Sequence, residues 1–344
     1  MKYIYSFLIT FLLVFGAQAQ ESNELHILTW SEYIPDEVIR EFTKETGIKV
    51  VISTFDSNEA MFAKLKLLGE KNGYDIVMPT TYYVSRLKNS GLLQKIDKTK
   101  IPNIKNIDSQ FLSSAHNPES DYSIPYLWGI TGIAYNEKYI KDKIDSWNQL
   151  FDPKYQNKLL LVDDVRDIFD IALLSLGYKS NDTNPEHIKQ AYEKLKTLMP
   201  NVRVWNSDSP RVLFINEEIA IGTCWNGDAY MIAQENPNVK FAFPKEGPIL
   251  WLDNFVILKS AKNTNNAHKF INFIHKPEVS KAIVEKIGHS TPNKEAIKIL
   301  DPKVRDSTVM YPPKKYIDKG VFQADIGEAA SIYAKYWEML RAAK

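Results

Sequence analysis

The pattern that most limits what this chain can fold into is an alternation, repeated in two series, of short apolar or β-branched runs with stretches of helical spacing. Residues 25–29 form an apolar run. Pro35 then opens a stretch in which Val38, Ile39 and Phe42 fall at helical spacing, and Gly47 stands where a left-handed residue ends a helix. The run 48–54 is rich in β-branched residues; Ser57 can cap a helix carrying Met61, Phe62, Leu65 and Leu68, and Asn72-Gly73 turns the chain into 74–78. A third helix, over 80–90, stops at Gly91. The second series starts near Lys158 with the run 159–162, helices over 165–176 and 185–199, and strands over 202–205 and 219–224. Strands at 239–243 and 250–258 precede helices at 266–275 and 277–287, and an amphipathic helix runs from about 330 to 342. Strands alternating with helices of these lengths predict an α/β fold with two parallel sheets wound by right-handed crossovers.

Residues 1–19 carry one charge, Lys2, then an apolar run over 4–16, then Ala17-Gln18-Ala19, so a signal peptide cleaved after Ala19 is expected. The run of about thirteen residues is short of the roughly 20 that span a bilayer, and no later segment is long enough. Cys224 is the sole cysteine, which leaves neither an intramolecular disulfide nor a lipid-accepting cysteine after the signal. A free, soluble protein of the periplasm is therefore expected. About 325 residues remain after cleavage, enough for two lobes with separate cores and a cleft between them. With Lys2 removed the formal net charge of +1 becomes zero, a balance that suits neither nucleic acid nor an anionic membrane as partner.

In open parallel sheets, ligands lie beyond the carboxyl ends of strands. The first strand is followed by Trp30, Ser31, Glu32 and Tyr33, the third by Thr80, Thr81, Tyr82 and Tyr83. Asp163 and Asp164 follow 159–162, and Trp225, Asn226 and Asp228 follow 219–224. Trp251 and Asp253 sit two apart on a strand, which puts an indole and a carboxylate on one face. Aromatic faces attract ammonium groups and carboxylates neutralise them, so this set suits an organic cation. An anion would need basic residues, which these segments almost lack.

Each residue also has an ordinary reading. Asp164 and Asp167 fit an N-cap and an acidic N3 of the helix from Val165. Trp225 and Trp251 fit core aromatics, Tyr82 and Tyr83 can pack a helix start, and Cys224 reads as a small buried apolar residue. No His-Glu-x-x-His, Cys/His spacing, Gly-x-Ser-x-Gly elbow or phosphate-binding glycine loop occurs, so neither a structural metal nor a cofactor is expected. That absence favours binding over catalysis, and agreement among five segments favours a site over the ordinary readings.

The segments LTWSEYIP, STFDSNEAMFAKLK, DIVMPTTYYV, DYSIPYLWG, LLLVDDVRD, WNGDAY, FPKEG and SIYAKYWEML, in this order along the whole mature chain, resemble the periplasmic spermidine/putrescine-binding proteins that feed polyamine ABC transporters. The resemblance implies a two-lobed periplasmic binding-protein fold of type II, with residues 20–131 plus 252–300 in the first lobe and 132–251 plus 301–344 in the second. It also implies a cleft in which Trp30, Tyr82, Trp225 and Trp251 sandwich an aliphatic chain while Asp164, Asp167 and Asp253 hold its amino groups. Ser31, Tyr33, Thr80, Ser207 and Gln323 would add hydrogen bonds. Hinge closure would then present the ligand to an inner-membrane permease and its ATPase.

Three positions depart from the pattern of that family: Asp167 replaces a longer glutamate, His289 a tyrosine and Thr80 a serine. Protonated His289 would repel a cation, so affinity is expected to fall as pH drops through about 6.5. Two other functions are open to the same residues. Neighbouring Tyr82 and Tyr83 could ligate ferric iron, although indole walls give a hard cation little. Asp163 and Asp164 could act as the carboxylate pair of a secreted hydrolase.

Overall fold

A computed structural model describes residues 22–113, 118–207 and 210–342; the expected signal peptide lies outside them. The chain begins with β1 (Glu24–Thr29), α1 (Asp36–Thr46), β2 (Lys49–Thr54), α2 (Asn58–Leu68), β3 (Ile76–Val77) and α3 (Thr81–Asn89). Local chemistry sets their ends. Gly47 takes φ 73° and its N–H bonds the Thr43 carbonyl, a conformation that costs a Cβ-bearing residue more. The Ser57 hydroxyl accepts the Ala60 amide at 3.1 Å and satisfies one of the free donors of α2.

The second series comprises β5 (Leu159–Leu161), α4 (Val165–Ser175), α5 (Pro185–Leu198), β6 (Val202–Trp205), β7 (Ile221–Trp225), α6 (Asn226–Glu235) and β8 (Val239–Ala242). Between the two series runs the fourteen-residue β4 (Ser123–Asn136), and after the second comes β9 (Ile249–Ile257). Helices α7 (Thr264–Ile274) and α8 (Pro277–Ile287), the short β10 (Val321–Phe322) and α9 (Ala329–Ala342) follow. Among the described residues no helix is long and apolar enough to cross a membrane.

The strands join as one path, β2-β1-β3-β9-β4-β7-β5-β6, with β10 added on β9 and β8 on β4. The sheets of the two series are mainly parallel, as expected, but they join through an antiparallel centre. The outer pairs β1–β2, β1–β3, β5–β6 and β5–β7 are parallel, whereas β3–β9, β9–β4, β4–β7 and β4–β8 are antiparallel. The physical reason is that β4 and β9 are not crossover units. They run opposite one another from Ser123↔Val256 to Thr131↔Ile249, with a register shift between Pro125 and Trp128.

Each end of this two-strand ribbon enters a different core. Ile124, Tyr126, Leu127 and Ile130 of β4 and Leu252, Phe255 and Ile257 of β9 pack with Leu25, Phe42, Phe270 and Ile283. Ile133 and Ile249 pack instead with Trp147, Phe169, Leu195 and Tyr333. Complete burial of residues such as Phe42 and Phe169 contributes roughly 1.5–3 kcal/mol each, so either core is substantial by itself.

Candidate functional site

Register in the antiparallel centre decides which side chains meet. Trp251 of β9 lies opposite Gly129 of β4, and Thr131 of β4 lies opposite Trp225 of β7. Residues directly opposite share a face, as do residues two apart on one strand. Trp225, Thr131, Gly129, Trp251 and Asp253 therefore line one face, as the spacing of Trp251 and Asp253 led one to expect. Gly129 is required there, because a Cβ would overlap the Trp251 ring and crowd Asn226 Oδ1. Ile249 stands opposite Thr131, so the levels of Asp253 and Thr131 are roughly 13 Å apart along β9, at about 3.3 Å per residue, with Trp251 between them.

Asp253 is held from the first series. The Thr80 hydroxyl donates to its Oδ1 at 2.7 Å and the Tyr33 phenol to its Oδ2 at 2.7 Å. Thr80 reaches it because β3 runs antiparallel to β9, and a bridge continues the ladder to Thr80↔Asp253. Buried Asn58, which the sequence reading passed over, donates to Thr80 Oγ1 at 3.1 Å and to the Tyr82 hydroxyl at 3.2 Å. No basic side chain pairs with Asp253 among the described residues. Burial pushes its carboxyl up to about 6, against the two hydroxyl donors, which lower it.

Asp167 is held from the second series. The Thr131 hydroxyl donates to its Oδ2 at 2.7 Å and the Gln323 amide to its Oδ1 at 2.8 Å. Its carboxyl is raised well above the ordinary range, first by burial and then by the charge of Asp164. Asp164 caps α4 as its ordinary reading had it: Oδ1 accepts the amides of Arg166 and Asp167 at 2.8 and 3.0 Å. Arg166 and Asp170, neither singled out from sequence, complete this end. The Arg166 guanidinium lies 4.8 Å from the centre of the Tyr82 ring, so a residue of α4 touches a residue of α3.

The aromatic candidates are half-buried or buried. Trp30 packs on Phe55 with ring centres 4.4 Å apart, and the indole N–H groups of Trp30 and Trp251 are buried without a protein partner. Trp225 is the N-cap residue of α6. Ser31 is exposed in the turn after β1, next to Glu32 at φ 51°. The Ser207 hydroxyl accepts the Asp163 amide at 2.7 Å.

His289 sits edge-on to Trp251 and to Tyr33, with ring centres 5.3 and 6.0 Å away. Burial lowers its imidazole to about 4, outweighing the opposing pull of Asp228. It is therefore neutral at pH 5.5–7.5, and the expected loss of affinity through its protonation near 6.5 is corrected. The sequence could not show that the loop holding His289 is covered: it lies against the first turn of α6, where a Cβ on Gly227 would overlap the Gly288 carbonyl.

Two rival chemistries fit poorly. Burial raises the phenols of Tyr82 and Tyr83, which opposes the phenolates that iron needs. Asp163 pairs with Arg341 at 3.0 Å while Asp164 caps a helix, so the two do not form an acid–base pair.

Residues 37–310 match the family described as bacterial extracellular solute-binding protein. The chain is 44% identical over 330 residues to the spermidine/putrescine-binding periplasmic protein of Salmonella typhimurium, covering 96% of this chain and 94% of that one. It is 33% identical to the putrescine-binding periplasmic protein PotF of Escherichia coli, over 87% of this chain and 85% of that one. A solved structure from Listeria monocytogenes has a TM-score of 0.90 at 38% identity, covering 94% of this chain and 100% of that one. The substrate-binding protein PotD of a Streptococcus pneumoniae spermidine/putrescine ABC transporter has a TM-score of 0.77 at 35% identity, covering 93% and 100%.

Proposed function

Since the chain belongs to the bacterial extracellular solute-binding protein family, we propose that it is a periplasmic receptor that captures a polyamine, spermidine or putrescine, and delivers it to an ABC transporter. The family consists of transport receptors, so the site is read as a binding site and not as a catalytic one. One observation carries the choice of ligand. Asp253 and Asp167 are buried carboxylates held by neutral hydroxyl and amide donors on a face that also bears Trp251 and Trp225. Buried charge without a counter-ion is unfavourable, and an alkyl chain with an ammonium at each end supplies both counter-ions and methylenes for the indoles.

In this reading Asp253 and Asp167 each take an ammonium, with Asp164 adding negative potential. Trp30, Tyr82, Trp225 and Trp251 flank the chain, Tyr33, Thr80 and Gln323 orient the carboxylates, and Ser31, Ser207 and His289 line the margin. The first lobe comprises residues 20–131 plus 252–300 and the second 132–251 plus 301–344. Ligand that touches both favours the closed arrangement by its extra contacts there. The Arg166–Tyr82 contact crosses this boundary and supports such a closure. Export with cleavage after Ala19, and an inner-membrane permease and ATPase as partners, complete the proposal.

Isothermal titration of the mature protein with putrescine, cadaverine, spermidine and spermine tests it. One-to-one binding of at least one of them, largely lost in Asp253→Asn, is expected. Absence of heat with all four, from folded and ligand-stripped protein, would rule the polyamine reading out.

A further inference from the structure

Helix α4 carries a third aspartate for which the proposed contacts have no use. Asp164, Asp167 and Asp170 recur every three residues, so they lie near one another on the helix surface. Asp170 is fully buried. Its Oδ1 accepts the Asn181 amide at 3.3 Å, and among the described residues its buried Oδ2 has no hydrogen bond. The charge of Arg166, one turn before it, pulls the Asp170 carboxyl down but less than burial pushes it up. That guanidinium donates to the Ala324 carbonyl at 3.0 Å and to Asn181 Oδ1 at 2.6 Å, stacks on Tyr82, and makes no ion pair with the three aspartates among the described residues. Gln323, which donates to Asp167, also lies against Asp170.

Among the described residues no other cation acts on Asp167 or Asp170. On α4 itself the charged neighbours are Asp164 and Arg166; beyond them stand Gln323 after β10, Asn181 in the loop after α4 and the Tyr333 phenol of α9. From across the cleft come Tyr82 of α3 and Glu59 of α2, whose own carboxyl is raised by burial and by Asp164. Two neighbouring buried carboxylates beside one neutral amide, with no ion pair among the described residues and with the nearby Arg166 charge outweighed by burial at Asp170, cannot both ionise cheaply.

We propose that Asp167 and Asp170 hold one proton between them in the empty cleft, and that a ligand ammonium arriving at Asp167 expels this proton to solvent. Asp170 is thus a positioning residue for charge: it does not touch the ligand, but it couples polyamine capture to proton release. This rests on the polyamine reading of the cleft. Burial raises both carboxyls, Asp170 to about 6, and the charge of Asp170 raises Asp167 further.

The test is calorimetric titration with putrescine and spermidine at pH 6.0 in phosphate, imidazole and Tris-type buffers, whose ionisation enthalpies differ. The dependence of heat on buffer gives the number of protons released. Wild type is expected to release on the order of one proton from this pair in addition to any from Asp253, and Asp170→Asn to release clearly fewer while still binding. An unchanged proton count in a binding-competent Asp170→Asn overturns the proposal. If that variant fails to fold, carbon-13 titration of the aspartate carboxyls in wild type decides: coupled signals titrating above pH 5 that flatten with putrescine support the pair, and their absence overturns it. No heat with either polyamine at pH 7.5 overturns the receptor reading and this proposal together, whereas binding without proton release overturns this proposal alone.

Discussion

At Asp253 two hydroxyls donate and, among the described residues, no basic side chain pairs with it, so solvent exclusion sets the charge state. Its value rises from about 3.9 in an unfolded chain to about 6 in the native protein. The native form therefore takes up a proton more readily, and the cost of keeping it ionised grows as pH climbs between those values and is complete above 6. Only the ionised form attracts an ammonium. Affinity for putrescine or spermidine should be level above pH 7 and fall by about tenfold for each unit below 6 from this group alone. The same slope should persist in His289→Phe, whatever that change does at pH 7.5; loss of the slope there would return the titration to His289. Asp253→Asn removes a charge-assisted contact of about 1.5–3 kcal/mol, a drop of roughly ten- to hundredfold in affinity by calorimetry.

Among the elements, β4 does most to place these side chains, and it was the one the sequence hid. The segments flanking it were legible because strand runs, Ser57, Gly47 and the Asp164 cap obey local rules, and because residues after strand ends are few enough to compare. β4 obeys none of them. It is buried on both faces, so it shows no alternation, and Pro125, Gly129 and Gly132 interrupt it in the manner of a loop. Thr131, the partner of Asp167, went unseen with it. So did Asn58, Arg166 and Asp170, whose roles depend on neighbours brought in from distant segments. Gly129→Ala should therefore act at a distance from any charge: its methyl overlaps the Trp251 ring, an overpacking cost of about 1–3 kcal/mol. A lowered melting temperature together with weakened polyamine binding is expected, and wild-type values for both would show that Trp251 can move aside. Thr131→Val keeps the shape and removes the donor to Asp167, and should weaken binding with little loss of fold.

For the molecule as a whole, ligand and proton compete for the same buried carboxylates. A ligand at a hundred times its dissociation constant adds about 2.7 kcal/mol to stability, so differential scanning fluorimetry with putrescine or spermidine should show a shift of a few degrees at pH 7.5. At a fixed ligand concentration that shift should shrink markedly at pH 5, where Asp253 is protonated; equal shifts at both values would contradict the linkage. Small-angle scattering should report a smaller radius of gyration on ligand addition, as closure requires. The ribbon of β4 and β9 has a further consequence, for the order of folding. β9 pairs with β3 on one side and β4 on the other, and it supplies side chains to both cores. Until residue 257 has been synthesised, the first core lacks the strand between β3 and β4, and the second lacks Ile249 until that residue is added. The contacts that complete them join segments more than a hundred residues apart, which makes folding slow. The first core is therefore completed late in synthesis, by a strand that must find partners made long before it.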